Sequence, residues 1–199
     1  MTTLNKKAME KKLEFGEILS YAFTNGLKNF LSLIACYLLW MLTIWIPYLN
    51  VGTTIAMVTL PAALSKGKMI NPLEIFDGKY RKFMGEYFLV VSLGMLIIFI
   101  ATLFMIIPGI VMGIAYCLAP LLVVDKGKGA TEALKLSNKI THGNKWTIFL
   151  VWIVLAIPYI ILGWIWTPLA IIYLILLTPI SLCAMASIYG QLAGDIEEG

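Results

Sequence analysis

The stretch 136-LSNKITHGNK-145 interrupts an otherwise greasy chain, and 19-LSYAFTNGLK-28 reproduces its Leu-Ser, Thr, Gly and Lys in register. One polar phrase written twice in so hydrophobic a protein implies a repeated structural unit. Prolines mark the same period. Pro47, Pro108 and Pro168 form one ladder and Pro61, Pro120 and Pro179 another, each stepping by about 60 residues, a spacing that signals duplication of a supersecondary unit. Gly26, Gly85 and Gly143 keep the step, and "LSKGK" at 64–68 echoes "VDKGK" at 124–128.

Composition sets the class. Hydrophobic residues make up 60% of the 199 and charged residues 13%, against roughly 45–50% and 25% in soluble domains. The runs 30–64, 87–124 and 146–190 carry no charged residue. Cut near Pro47, Pro108 and the 163–168 turn, they give six candidate spans, to be compared with the roughly 20 residues that cross hydrocarbon. The expected fold is all-α: a polytopic membrane protein of six transmembrane helices, forming a single membrane domain over 1–199. Its three parallel repeats run 13–65, 70–124 and 129–190, with short charged tails at 1–12 and 191–199. Each unit reads as an amphipathic helix, an outgoing span and a returning span, so the units relate by a pseudo-threefold axis along the membrane normal.

Charge gives the topology. All fifteen cations fall in three clusters: Lys6, Lys7, Lys11, Lys12 and Lys28; Lys66, Lys68, Lys79, Arg81 and Lys82; Lys126, Lys128, Lys135, Lys139 and Lys145. The intervening turns "IPYLN", "IIPG" and "GWIWTP" are uncharged. Six crossings put every cation on one face, which the positive-inside rule makes cytoplasmic, with both termini inside a prokaryotic inner membrane. Trp45, Tyr48, Trp164 and Trp166 then belong to the outer aromatic belt, and Phe83, Tyr87 and Trp146 to the inner one. Val51 to Leu64 is the short span, about 21 Å as helix. A re-entrant course there exports "SKGK" and Arg81 and splits the asymmetry, so a full crossing is expected. The mixed-charge start "MTTLNKKAMEKKLEF" lacks the apolar stretch of a cleaved signal and is expected to stay in the finished protein.

The amphipathic helices are expected to lie in the inner interface, apolar side down. The third has Ala133, Leu134, Leu136 and Ile140 on one face and Glu132, Lys135, Lys139 and His142 on the other, with Thr131 as cap and Gly143 as stop. The first buries Phe15, Ile18, Leu19 and Ala22. Asn71, Pro72 and Glu74 sign the start of the second.

Residues 107–146 carry a resemblance. Pro108 and Gly109 make a Pro-Gly turn, and Ala119, Pro120, Val123, Val124 and Asp125 close the following span. Glu132, Ala133, Leu134, Ser137, Thr141, Gly143 and Trp146 follow in order. This pattern resembles the glycerophosphoryl diester phosphodiesterase membrane-domain superfamily, and six-helix hydropathy extends the likeness loosely to the whole chain. The resemblance implies a helical membrane module of largely unassigned activity. Phosphodiesterase activity in that group belongs to a separate soluble domain, which 199 residues leave no room for. Many relatives carry an arginine within the span before Ala-Pro, where this chain has "GIAYCL".

Little points to chemistry. His142, the one histidine, suits capping or solvation at a helix end better than acid–base work. Asp125 and Glu132, with Asp77 or Glu86, are better explained as salt-bridge partners of the lysines than as a cation site. Cys36, Cys117 and Cys183 have neither CxxC spacing nor a nearby histidine and read as small buried hydrophobes. "KGKG" at 126–129 lacks a P-loop pattern. No ionisable residue sits at membrane depth, where coupled carriers keep one. Thr43, Thr53, Thr54, Thr59, Ser92, Thr102, Thr178 and Ser181 either line a polar path or bond neighbouring helices.

No catalytic residue, cofactor or metal is expected. The expected role is a non-catalytic module that binds anionic membrane lipids, or docks a protein partner, through a cytoplasmic basic collar. Its candidate contacts are Lys66, Lys68, Arg81, Lys126, Lys128, Lys135, Lys139, His142 and Lys145. Pro47, Pro61, Pro108, Gly109, Gly113, Pro120, Gly143, Pro168 and Pro179 form its structural motif, and the small stripe Gly109, Gly113, Cys117 allows close helix approach or a homo-oligomer. A positive face tied to a bilayer argues against nucleic acid. The alternatives are a passive or partner-energised carrier of an apolar or amphipathic solute and, behind it, a lipid-modifying enzyme.

Overall fold

The computed structural model describes residues 11–196, all helix, 3-10 turn or loop. Among the described residues nine α-helices follow in chain order: α1 Phe15–Lys28, α2 Phe30–Thr43, α3 Pro47–Ser65, α4 Met84–Phe104, α5 Ile106–Tyr116, α6 Ala119–Lys126, α7 Ala130–Thr141, α8 Lys145–Ile165 and α9 Thr167–Ala193. Between α3 and α4 lie two 3-10 turns, Pro72–Phe76 and Gly78–Phe83. Five helical segments among the described residues are long and apolar enough to cross a membrane, and six when α1 and α2, bent by 77°, are taken as one broken span.

The two proline ladders do different work. Pro47 and Pro168 sit in the first turns of α3 and α9, where a missing N–H costs nothing, and Pro108 starts α5 the same way. Pro61 and Pro179 lie inside unbroken helices, whereas Pro120 follows the break at Cys117 and Leu118 that divides α5 from α6. The second ladder therefore coincides with a break in one returning helix and leaves the other two continuous.

Packing concentrates toward the charged end. In α8 the buried positions are Ile148, Val151 and Leu155, in α4 Tyr87, Val90 and Gly94, all in the halves nearest the lysines. The hairpin turns are apolar and open: Trp45, Phe104, Trp164 and Ile165 are all highly exposed. Such a surface is the side a helix turns to lipid rather than water.

Each interfacial element packs on a returning helix of another unit. α1 lies along α9, with Gly26 so close to Ile180 that an added Cβ meets its backbone at 3.2 Å. The 3-10 turns lie on α3, and α7 lies on α5 and α6. The apolar faces of α1 and α7 thus meet protein: Ile18, Ala22, Ala133 and Ile140 are fully covered within the chain. Their apolar sides, expected to face down into the bilayer, are thus covered by neighbouring helices. The doubled phrase also splits. Ser137 and Thr141 are buried in α7, while Ser20 and Thr24 face outward in α1. Gly143 ends α7 in the left-handed region at φ +85°, while Gly26 serves as a mid-helix contact.

The second unit departs most from expectation. Asn71 accepts from the Leu73 N–H at 3.1 Å and Asp77 from the Lys79 N–H at 2.9 Å, so successive caps end each helical turn as soon as it starts. The segment runs back along α3 instead of forming an amphipathic helix. Ser32 at the start of α2 bonds the Ile70 carbonyl, and Arg81 lies over the Tyr48 ring at 5.2 Å and against Gly52, near the start of α3. Tyr48, expected in the outer belt, and Arg81, expected in the inner collar, are therefore neighbours. Lys66 caps the other end of this 19-residue helix, about 28 Å away. An upright α3 would place Lys66 and Arg81 on opposite faces. A single cationic face requires α3 to lie oblique, which removes the premise of the charge argument for a full crossing at Val51–Leu64. α3 is also the least apolar and most enclosed of the five candidate spans, and α2 has only 14 residues.

Candidate functional site

Where α3, α6 and α9 end, their polar residues meet. Lys66, the C-cap of α3, places its Nζ 2.5 Å from Asp125 Oδ1, and the Tyr189 hydroxyl of α9 donates to Asp125 Oδ2 at 2.8 Å. Asp125 is nearly buried and Tyr189 is 1% exposed. Lys126, beside it, is buried as well, with Nζ 3.9 Å from Asp125 Oδ2. A shielded carboxylate needs such partners, because an unpaired charge there costs several kcal/mol, on the order of 3–5. Backbones close in too: Gly190 of α9 faces Ser65 of α3 across a gap where an added Cβ would stand 3.1 Å from the serine Cβ. The Tyr21 hydroxyl of α1 donates to the Leu64 carbonyl at 3.0 Å.

Further bonds tie the other charged segments to this junction. Glu86 at the start of α4 accepts from the Ala130 N–H at 2.7 Å and so caps α7 from another helix. Thr131, expected as the cap, does not fill that place; Gly129 is the N-cap residue and supplies no side chain. Asn144 before α8 accepts from the Leu13 N–H at 2.8 Å and donates to the Lys11 carbonyl at 2.7 Å, while Lys11 pairs with Asp195 at 2.7 Å. Segments 11–13, 64–66, 86, 125–130, 144 and 189–195 therefore share one end of the molecule.

The expected contact residues divide by environment. Lys68 pairs with Glu74 at 2.9 Å and Lys128 with Glu132 at 3.6 Å. Asp77 pairs with Lys79 at 3.1 Å, and the Lys79 N–H, then its ammonium, hold the Asp77 carboxyl below its usual value. Arg81 stacks on Tyr48. Lys135, Lys139 and His142 share one surface depression with Asn138, to which Lys145 donates at 3.1 Å. Lys126 is the exception, being 6% exposed and turned into the junction, so it is a packing residue and not a surface contact. Gly109 lies hard against Thr102, as a close-approach position should, whereas Gly113 has open space around it. Sequence reasoning missed Tyr189 and Asn144 and took Glu86 for a salt-bridge partner of the lysines where it caps α7; each acts at a distance of more than 40 residues, and no local pattern announces it.

Inward of the junction lies a cavity of about 480 Å3 between α3, α6, α8, α9 and Cys117 in the break before α6, with apolar walls relieved by Ser181 and Tyr159. Of the hydroxyls that could line a polar path or bond helices, several bond helices. Thr43 and Thr53 bond each other at 2.8 Å, Thr54 bonds Trp40 and Asn50, and Thr59, Thr102 and Thr178 bond carbonyls of their own helices. Among the described residues no three His, Cys, Asp or Glu side chains are grouped to hold a metal ion.

A charge-polarised bundle of long apolar helices, tied together at its cationic end, defines a multi-pass membrane protein. The chain belongs to the family described as "Protein of unknown function (DUF975)", whose model matches residues 1–194. It is also similar to a UPF0259 membrane protein of Photorhabdus laumondii, 29% identical over 118 residues. That match covers 59% of this chain and 42% of the relative, so the chain spans under half of the relative's length. No solved structure matches. The expectation of a membrane family without an assigned activity holds, under a different family description from the glycerophosphoryl diester phosphodiesterase membrane domain.

Proposed function

We propose that this chain is a non-catalytic membrane module that binds anionic lipid, or docks a partner, through the cationic collar around the α3–α6–α9 junction. It lies in a prokaryotic cytoplasmic membrane with both termini inside, in keeping with the positive-inside rule. The α2–α3 hairpin re-enters on that side, which lets Lys66 and Arg81 share the headgroup layer.

The observation that carries this reading is the use of the acidic residues. Fifteen cations face eleven acids, and Glu74, Asp77, Glu86, Asp125, Glu132 and Asp195 are already engaged within the protein. The surplus positive charge is left for an outside anion, each cation near a charged membrane surface contributing about 1 kcal/mol. The likeness of residues 107–146 to the glycerophosphoryl diester phosphodiesterase membrane domain supports a module role in the same way. Detergent-free extraction into polymer discs, followed by mass spectrometry of co-purifying lipids and proteins, tests it. Enrichment of anionic lipid over the surrounding membrane, or a stoichiometric partner, is expected; bulk lipid composition with no partner would overturn it.

The apolar cavity of about 480 Å3 favours a second reading, a passive or partner-energised carrier of an apolar or amphipathic solute. Uptake of such a solute into vesicles holding the purified chain alone would put this reading first. No specific observation favours a lipid-modifying enzyme.

A further inference from the structure

We infer that the break between α5 and α6 is a binding site for a single-chain lipid with an uncharged hydroxyl head, the hydroxyl at the break and the chain in the cavity between α8 and α9. The inference goes beyond both readings above. The collar cations line no part of this site, and it requires occupancy without passage.

The break leaves backbone acceptors open. Pro120 has no N–H to return to the Tyr116 carbonyl four residues earlier. Beside it, the Ile114 carbonyl accepts from the Cys117 N–H at 3.4 Å and the Ala115 carbonyl from the Ser137 hydroxyl at 2.6 Å. The Tyr116 and Cys117 carbonyls accept no hydrogen bond from the described residues. Open carbonyls are costly at membrane depth unless they line a cavity, and interrupted spans are where membrane proteins place backbone groups that hold a solute.

Two cavities flank these carbonyls. The one of about 480 Å3 and a second of about 260 Å3, between α4, α5 and α6, share Cys117, Trp152 and Met185 as walls. The flexible Met185 thioether makes that partition a yielding one. Neither lining contains a charged residue, so a carboxylate or ammonium head would find nothing to answer it. Tyr116 borders one cavity and Tyr159 the other, and neither phenol has a hydrogen bond within the described residues. A pure hydrocarbon would leave the carbonyls open. An alcohol fills the apolar space, donates to a carbonyl and can accept from a phenol.

The test is equilibrium binding of tritiated hexadecanol to the full chain in lipid nanodiscs, corrected with empty discs. One molecule should bind saturably, about fivefold tighter than hexadecyl methyl ether, which keeps the chain but cannot donate. Pro120→Ala returns an N–H to the Tyr116 carbonyl and should erase that preference. Ala156→Leu adds bulk from an exposed position in the larger cavity's wall and should weaken both ligands about tenfold while helix content holds. Val154→Leu, at an exposed position outside both linings, should change neither. Absence of saturable binding would overturn the site. Equal wild-type affinity for alcohol and ether, or a preference that survives Pro120→Ala, would overturn the role of the break. Wild-type binding by Ala156→Leu would overturn the cavity as the seat of the chain. Enrichment of anionic lipid on extraction is independent of all of these, so failure here leaves the collar reading standing.

Discussion

Lys66 and Asp125 stand 2.5 Å apart at the ends of α3 and α6, joining two segments of the chain that run in sequence through separate hairpins. Tyr189 reaches the other oxygen of the same carboxylate, so one side chain gathers three helix ends. Its partners are not equivalent. Lys66 is half exposed and Tyr189 is covered, and an ion pair open to water contributes little, about 0–1 kcal/mol. Tyr189→Phe should therefore cost more, about 1.5–3 kcal/mol for a shielded hydrogen bond to a charged group, and Lys66→Met under about 1 kcal/mol. Thermal unfolding of the purified variants in one detergent measures this order. A double-mutant cycle of Y189F with D125N should be non-additive, since the two share a bond.

Glu86 caps α7 from across the fold. Glu86→Gln keeps an acceptor but loses the charge that favours a helix N-terminus, and Glu86→Ala loses both. Stability should fall by a few tenths and by about 0.5–2 kcal/mol respectively. Hydrogen exchange at Ala130 to Ala133 should quicken in the same order. Thr131→Ala should leave these rates unchanged, because its side chain forms no cap.

Three helical glycines should separate on substitution. Gly109→Ala drives a methyl group into Thr102, and Gly26→Ala presses one against the Ile180 backbone. Each should destabilise by about 1–3 kcal/mol, as overpacking does. Gly113→Ala meets open space and should be neutral or stabilising by up to about 1 kcal/mol through helix propensity. Denaturation midpoints of the three single variants decide this.

Much of this fold was legible because it rests on local physics. Hydropathy runs located the spans, Pro47 and Pro168 their starts, and Gly143 the end of α7, since each effect acts within a turn or two of its residue. The apolar faces of α1 and α7 were also readable from spacing. What covers them was not, because periodicity says that a face is buried without saying by what. Residues 72–83 failed for a local reason: Asn71 offered the signature of a helix start, but Asp77 caps a second start six residues later, which leaves room only for 3-10 turns. The site was the least legible part. Lysines are visible in any sequence, but the convergence of Asp125 with Tyr189, or the inward turn of Lys126, depends on the crossing of distant helices.

The most direct test of the account is side-specific thiol labelling in intact cells and inverted vesicles, using single-cysteine variants at Tyr48, Lys66, Lys128 and Trp164 in a background lacking Cys36, Cys117 and Cys183. The account predicts that positions 48, 66 and 128 are modified from the cytoplasmic side and position 164 from the other. Labelling of position 48 together with 164, or of 66 and 128 from opposite sides, would contradict it.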